Sequence, residues 1–159
     1  MLNRAVFRSA LPCLAGFLLA LTLAVPALAL PEPMTDDELL AKSDLVALIE
    51  VLSVTSVGAL PDPGTRQALQ FYYAKAKVLE VKKGDVKPGT EITIEFREVP
   101  EDIVGRWEVS YYAGEELWTY LRKRGENYRA TYWNARGKQV RPASNNKLPS
   151  QPGQTISAE

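Results

Sequence analysis

Glu91-Ile92-Thr93-Ile94-Glu95-Phe96-Arg97 decides the fold class. Ile92, Ile94 and Phe96 fall on one side, and Thr93, Glu95 and Arg97 on the other. Side chains alternate faces along a strand, so this is a strand with one face in a core and one in water. Pro100 cannot donate to a ladder, which predicts that the strand ends near Glu98.

Reading outward toward the amino terminus, Lys83-Gly84-Asp85 and Pro88-Gly89 mark a turn. Residues 67–81 before it form a second strand. Its core face is Tyr72, Ala74, Ala76 and Val78, and its other face is Phe71, Tyr73, Lys75 and Lys77. The apolar phase slips at Leu79 and Val81, which predicts a bulge. Residues 58–64, with Pro61 and Pro63, read as a loop. Residues 45–57 are apolar and β-branched apart from Glu50 and a few small polar residues, and read as a long first strand. Thr35-Asp36-Asp37-Glu38 has the spacing of a capping box and starts a short helix over 36–42.

Toward the carboxyl terminus, a long connection runs to about Gly114 and carries Trp107, Tyr111 and Tyr112. A turn of helix or a short extra strand is expected within it. Residues 115–123 form a fourth strand on Leu117, Trp118, Tyr120 and Leu121. Arg124-Gly125-Glu126-Asn127 reads as a hairpin turn, 128–133 as a fifth strand and 138–140 as a short closing segment. From Pro142 the chain is mostly Ser, Asn, Pro, Gln and Gly. Residues 142–159 are therefore expected to be a disordered tail.

The first 29 residues have the layout of a secretory signal peptide. Arg4 and Arg8 precede an apolar run, and Ala27-Leu28-Ala29 offers small residues to a signal peptidase. The competing reading is an uncleaved anchor, since the run is nearly 20 residues long. Pro26 and the Ala-rich end favour cleavage. Residues 30–141 then form one domain, exported to a periplasm or beyond the cell, with no stable membrane anchor.

Composition narrows the chemistry. Histidine is absent and the single cysteine, Cys13, leaves with the leader. Imidazole relays, thiol catalysis, thiolate metal sites and disulfides are thereby excluded from the mature chain. The leader holds two of the 19 basic residues and none of the 19 acidic ones, leaving 17 against 19, a net of −2. General capture of nucleic acid is not supported, although a local basic stripe is compatible with that total.

A helix followed by five strands, with a long connection between the third and fourth, is compatible with a five-stranded Greek-key barrel. Four sequence words in order sharpen this: Ser43-Asp44-Leu45-Val46-Ala47, then residues 76–84 (Ala76 to Gly84), then Gly89-Thr90-Glu91-Ile92-Thr93-Ile94, then residues 114–121 (Gly114 to Leu121). The series resembles small exported bacterial proteins related to the netrin module and to tissue inhibitors of metalloproteinases. The resemblance covers residues 36–140 and implies an OB-type barrel. Inhibitors of that family chelate zinc through a mature amino-terminal cysteine. The mature start here would be Leu30-Pro31-Glu32, so the resemblance does not extend to that mechanism.

Three groups are candidates for function. Phe71, Tyr73, Lys75 and Lys77, with Thr93 and Arg97 from the next strand, would make an aromatic and basic patch. In OB-folds that face binds oligonucleotides or oligosaccharides. The plainer reading is an ordinary solvated face, since scattered exposed apolar residues are common. Trp107, Tyr111 and Tyr112 would anchor a protein partner or plug one end of the core. Glu95, Glu98, Glu101 and Asp102 lack the spacing of a calcium loop and read as a solvated acidic rim.

The expectation is a mostly β, non-catalytic exported binding module without metal or cofactor. Its first-choice partner is another exported or envelope protein. A protease inhibitor lacking cysteine chelation, or a glycan binder, stays open. Nucleic acid is the weakest partner.

Overall fold

A computed structural model describes residues 31–61, 68–99 and 108–158. All but Pro31 belong to one compact unit, Glu32–Glu159. The expected leader and Trp107 lie outside the described residues.

Helix α1, Asp36–Lys42, starts as its sequence predicts. The Glu38 N–H donates to Thr35 Oγ1 at 3.3 Å, and the Thr35 N–H donates to Glu38 Oε2 at 2.9 Å. Asp36, Asp37 and Glu38 sit at the positive end of the helix dipole and Lys42 at the negative end. Ser43 Oγ and Lys83 Nζ donate to the last carbonyls, of Leu39 at 2.6 Å and Leu40 at 2.7 Å. The helix exit is crowded: a Cβ on Gly84, whose φ is +112°, would meet the Asp44 carbonyl at 2.7 Å.

The rest is mostly β. The strands are β1 (Leu45–Pro61), β2 (Ala68–Lys83), β3 (Glu91–Glu98), β4 (Glu116–Arg124), β5 (Asn127–Ala130), β6 (Arg136–Arg141) and β7 (Thr155–Ser157). Five of them make a ring in the order β1-β2-β3-β5-β4, which β4 closes by pairing with β1. All ring pairings are antiparallel except β3 with β5, which run parallel at Ile94 and Tyr128.

The expected bulge is present. Leu48 opposes Glu80 and Ile49 opposes Val78, so Leu79 is the extra residue on β2. β1 carries its own extra residues at Leu52 and Val57, and it runs through Pro61 where a loop was expected. The interior holds Ile49, Val51 and Val54 from β1, Tyr72, Ala74, Ala76 and Val78 from β2, and Ile92, Ile94 and Phe96 from β3. Tyr72 stacks on Phe96 with ring centroids 5.1 Å apart.

Two expectations are corrected. The fifth strand stops at Ala130 rather than 133, because residues 131–135 turn before β6 resumes along the same edge of β4. The carboxyl-terminal segment is not a disordered tail. β4 and the two residues before it cover Leu45–Val51 of the β1 edge, leaving later backbone groups open. β7 takes Ser53 to Thr55, and the Ala158 N–H donates to Leu52 O at 2.8 Å. The Ser56 backbone exchanges bonds with Gln154 and Gly153, at 3.0 and 2.8 Å. Pro149 is buried, and Leu148 packs on the core. Backbone pairing orders this segment despite its low apolar content.

Candidate functional site

The register of β2 on β3 sets the first candidate. Phe71 opposes Arg97, Tyr73 opposes Glu95, Lys75 opposes Thr93 and Lys77 opposes Glu91. Their inward neighbours Tyr72, Ala74, Ala76, Ile92, Ile94 and Phe96 are buried, so the predicted stripe does lie together on the outer face. Tyr73 is 43% exposed, while Phe71 is half-buried. Lys75 Nζ lies 3.5 Å from Glu91 Oε2, but both groups are well exposed and the pair contributes little.

The parallel β3–β5 pairing extends this face to residues that the linear sequence did not join to it. Arg97 Nε and Arg129 Nη2 both donate to Glu108 Oε1, at 2.6 and 2.7 Å. The Glu108 side chain is only 14% exposed, so these charge-assisted bonds are shielded and hold both guanidinium groups in place. Arg124 Nη1 lies 3.6 Å from Glu95 Oε2, and Asn127 Nδ2 donates to Glu95 Oε1 at 3.3 Å. A hollow beside Phe71 is bordered by Arg97, Arg124 and Arg129.

Next to it, a cleft of about 250 Å³ lies between β4, β5 and residues 131–133, lined by Glu108, Arg122, Arg129, Thr131, Tyr132 and Trp133. Among the described residues cations outnumber carboxylates across the whole face, although the full sequence carries 19 basic and 19 acidic residues. A second cleft, of about 300 Å³, holds Trp118 and Tyr120 beside Asp36, Lys82 and Lys138.

The aromatic candidate in the long connection divides. Tyr111 is not a surface anchor: it is fully buried, edge-on to Phe96 at 5.6 Å, with its hydroxyl 2.8 Å from Thr119 Oγ1. Burial pushes its phenol above the ordinary tyrosine range. Of the two readings the sequence left open, Tyr111 follows the core one and not the partner anchor, because residues 108–115 pass over the core with Val109, Tyr111 and Ala113 turned inward. Tyr112 is half-buried, and the Arg136 guanidinium lies 5.9 Å over its ring.

That arginine belongs to a structural network around Glu115, which is fully buried. Glu115 accepts from Arg136, from Gln139 Nε2 at 3.2 Å and from the Tyr112 N–H at 2.9 Å. Burial raises its carboxyl above the usual range, and these hydrogen bonds and the Arg136 charge offset part of the rise. The network fixes the connection and β6 to β4.

Of the expected acidic rim, Glu98 accepts the Tyr72 hydroxyl at 2.9 Å, while Glu95 holds Arg124 and Asn127. Glu101 and Asp102 lie outside the described residues. Sequence reasoning missed Glu108, Arg122, Arg124 and Arg129. Alternation along β4 was a usable signal, since Arg122 and Arg124 continue the outward phase of Trp118 and Tyr120. Their closeness to β3 follows only from the ring order.

Compared with known proteins, the chain matches no family model, no curated protein and no solved structure.

Proposed function

We propose that the chain is a non-catalytic exported binding module with an OB-like Greek-key barrel, whose cationic outer face takes the acidic surface of another exported or envelope protein. The strand order β1-β2-β3-β5-β4, with its one parallel pair, supports the barrel. In OB-folds ligands meet the β2–β3 face and the loops after β1 and β4. Here Phe71, Tyr73, Lys75, Lys77 and Arg97 lie on that face, and Arg124 borders the β4–β5 turn.

The observation that carries the reading is the arrangement around Glu108. One shielded carboxylate holds Arg97 and Arg129 fixed at the edge of a face already rich in cations. Fixed guanidinium groups beside an exposed tyrosine are the residue types enriched where protein partners bind. A chain with no histidine, and no cysteine after residue 13, is poorly equipped for catalysis.

The test is capture from an envelope extract by protein purified from cells that express the full chain. Beside it runs the Tyr73→Ala, Lys75→Ala, Lys77→Ala variant, checked for folding by its thermal transition. A protein held by the wild type should be lost with the variant and should elute at about 1 M salt, where the Debye length is about 3 Å. Equal retention by the variant would overturn the assignment of this face. Retention of glycan in place of protein would overturn the choice of partner.

A further inference from the structure

We infer that the cleft between β4, β5 and residues 131–133 is a binding pocket for a small anion, a carboxylate or phosphate group carried on a sugar-sized ring. It adjoins the proposed protein-binding face and shares Arg129 and Glu108 with it, but does not depend on that reading.

One strand pairing sets like charges against each other. Arg122 and Arg129 stand directly opposite one another across the antiparallel β4–β5 pair. Directly opposed side chains have Cβ atoms about 5 Å apart, and like charges there repel. Glu108 offsets Arg129, but the same oxygen also serves Arg97. The Arg122 side chain makes no hydrogen bond or ion pair with any described residue. Among the described lining residues the cleft therefore holds two guanidinium groups against one carboxylate. An anion seated between the two arginines would remove the repulsion.

The donors suit that ligand. Guanidinium forks match the paired oxygens of carboxylate and phosphate. Arg129 is already positioned by Glu108, so little side-chain freedom remains for a ligand to quench. The cleft, at about 250 Å³, is smaller than the pockets that enclose drug-sized molecules. It suits one charged group on one ring. Tyr132 and Trp133, with ring centroids 6.2 Å apart, supply apolar surface for the ring, and Tyr132 adds a polar tip.

Calorimetric titration tests this on protein purified from cells expressing the full chain. The probes are glucose 6-phosphate, glucuronate and neutral glucose in a chloride buffer. One or both anions should bind saturably and glucose should not. Binding by one anion alone identifies the group recognised, and binding by both shows that the shared charge is read. Arg122→Ala should weaken the anion about tenfold, the worth of one charge-assisted hydrogen bond. Arg122→Lys should recover only part of the loss. Arg122 is exposed, so the variant should fold; Arg122→Gln, which retains the stem, repeats the charge removal independently. No saturable binding of either anion, equal binding of glucose, or anion affinity unchanged in both removal variants would each overturn the proposal.

Discussion

Arg122 on β4 and Arg129 on β5 face each other across the strand pair, and among the described residues Arg129 has an acidic partner, Glu108, while Arg122 has none. Repulsion of this kind costs roughly 0.2–1 kcal/mol. Arg122→Thr keeps a residue suited to a strand and removes the repulsion. Its thermal midpoint should rise by about 1–4 °C at low salt. The gain should shrink at high salt as the charges are screened. A lower midpoint at low salt would show that Arg122 is held by an attraction and not by the fold alone.

Tyr111 makes a contrasting case. Its ring is buried against Phe96 and its hydroxyl meets Thr119. Tyr111→Phe should cost about 1 kcal/mol, the net worth of one hydrogen bond. Tyr111→Ala should cost about 3–5 kcal/mol through the cavity it leaves. Denaturant unfolding measures both. A near-neutral Tyr111→Ala would contradict the burial and favour the surface-anchor reading.

Glu115 and Glu38, the glutamates with displaced ionisation among the described residues, should give stability slopes of opposite sign. Burial holds the Glu115 carboxyl above its usual range, so the folded chain binds that proton more tightly than the unfolded chain. Its contribution is present in acid, below the ordinary carboxylate value, and is lost as the pH rises through the folded value. Glu38 is lowered, first by the Thr35 backbone and then by the Thr35 hydroxyl. Its contribution is present above the ordinary value and is lost as the pH falls through the folded one. Carboxyl carbon shifts followed by NMR should show Glu115 titrating above Glu38. Glu115→Gln removes the first slope but leaves Arg136 without its carboxylate, at a cost of about 2 kcal/mol, reduced because Arg136 is partly exposed.

Removing residues 148–158 should uncover the β1 edge from Leu52 to Ser56 along with the surface beneath Leu148 and Pro149. Open strand edges pair with other chains. The truncated protein should melt at lower temperature and scatter more light as its concentration rises. An unchanged melt and a monomer at all concentrations would mean that this segment contributes nothing to the fold.

The strands were legible where burial is one-sided. β3 alternates cleanly because one face meets the core and the other meets water, and the slip at Leu79 marked a real bulge. The capping box was legible because all its groups lie within four residues. β7 was not, because what orders it is the uncovered β1 edge, some 100 residues away in the chain. The candidate face was half legible. Phe71, Tyr73, Lys75 and Lys77 share a strand, and Arg97 lies on its neighbour. Glu108, Arg122 and Arg129 join them only through the parallel contact of β3 with β5. The sequence left Tyr111 open between partner anchor and core plug because a connection between strands reads the same whether or not it crosses a core.

The most direct test of the central claim is site-specific photocrosslinking in cells that express the full chain. A photoreactive residue replaces Tyr73 on the proposed face or, as the control, exposed Lys138 on β6. A discrete crosslinked protein should form with the probe at position 73, be lost when Lys75 and Lys77 are also neutralised, and be absent with the probe at position 138. Crosslinking at 138 alone, or at 73 with no dependence on the two lysines, would contradict the claim.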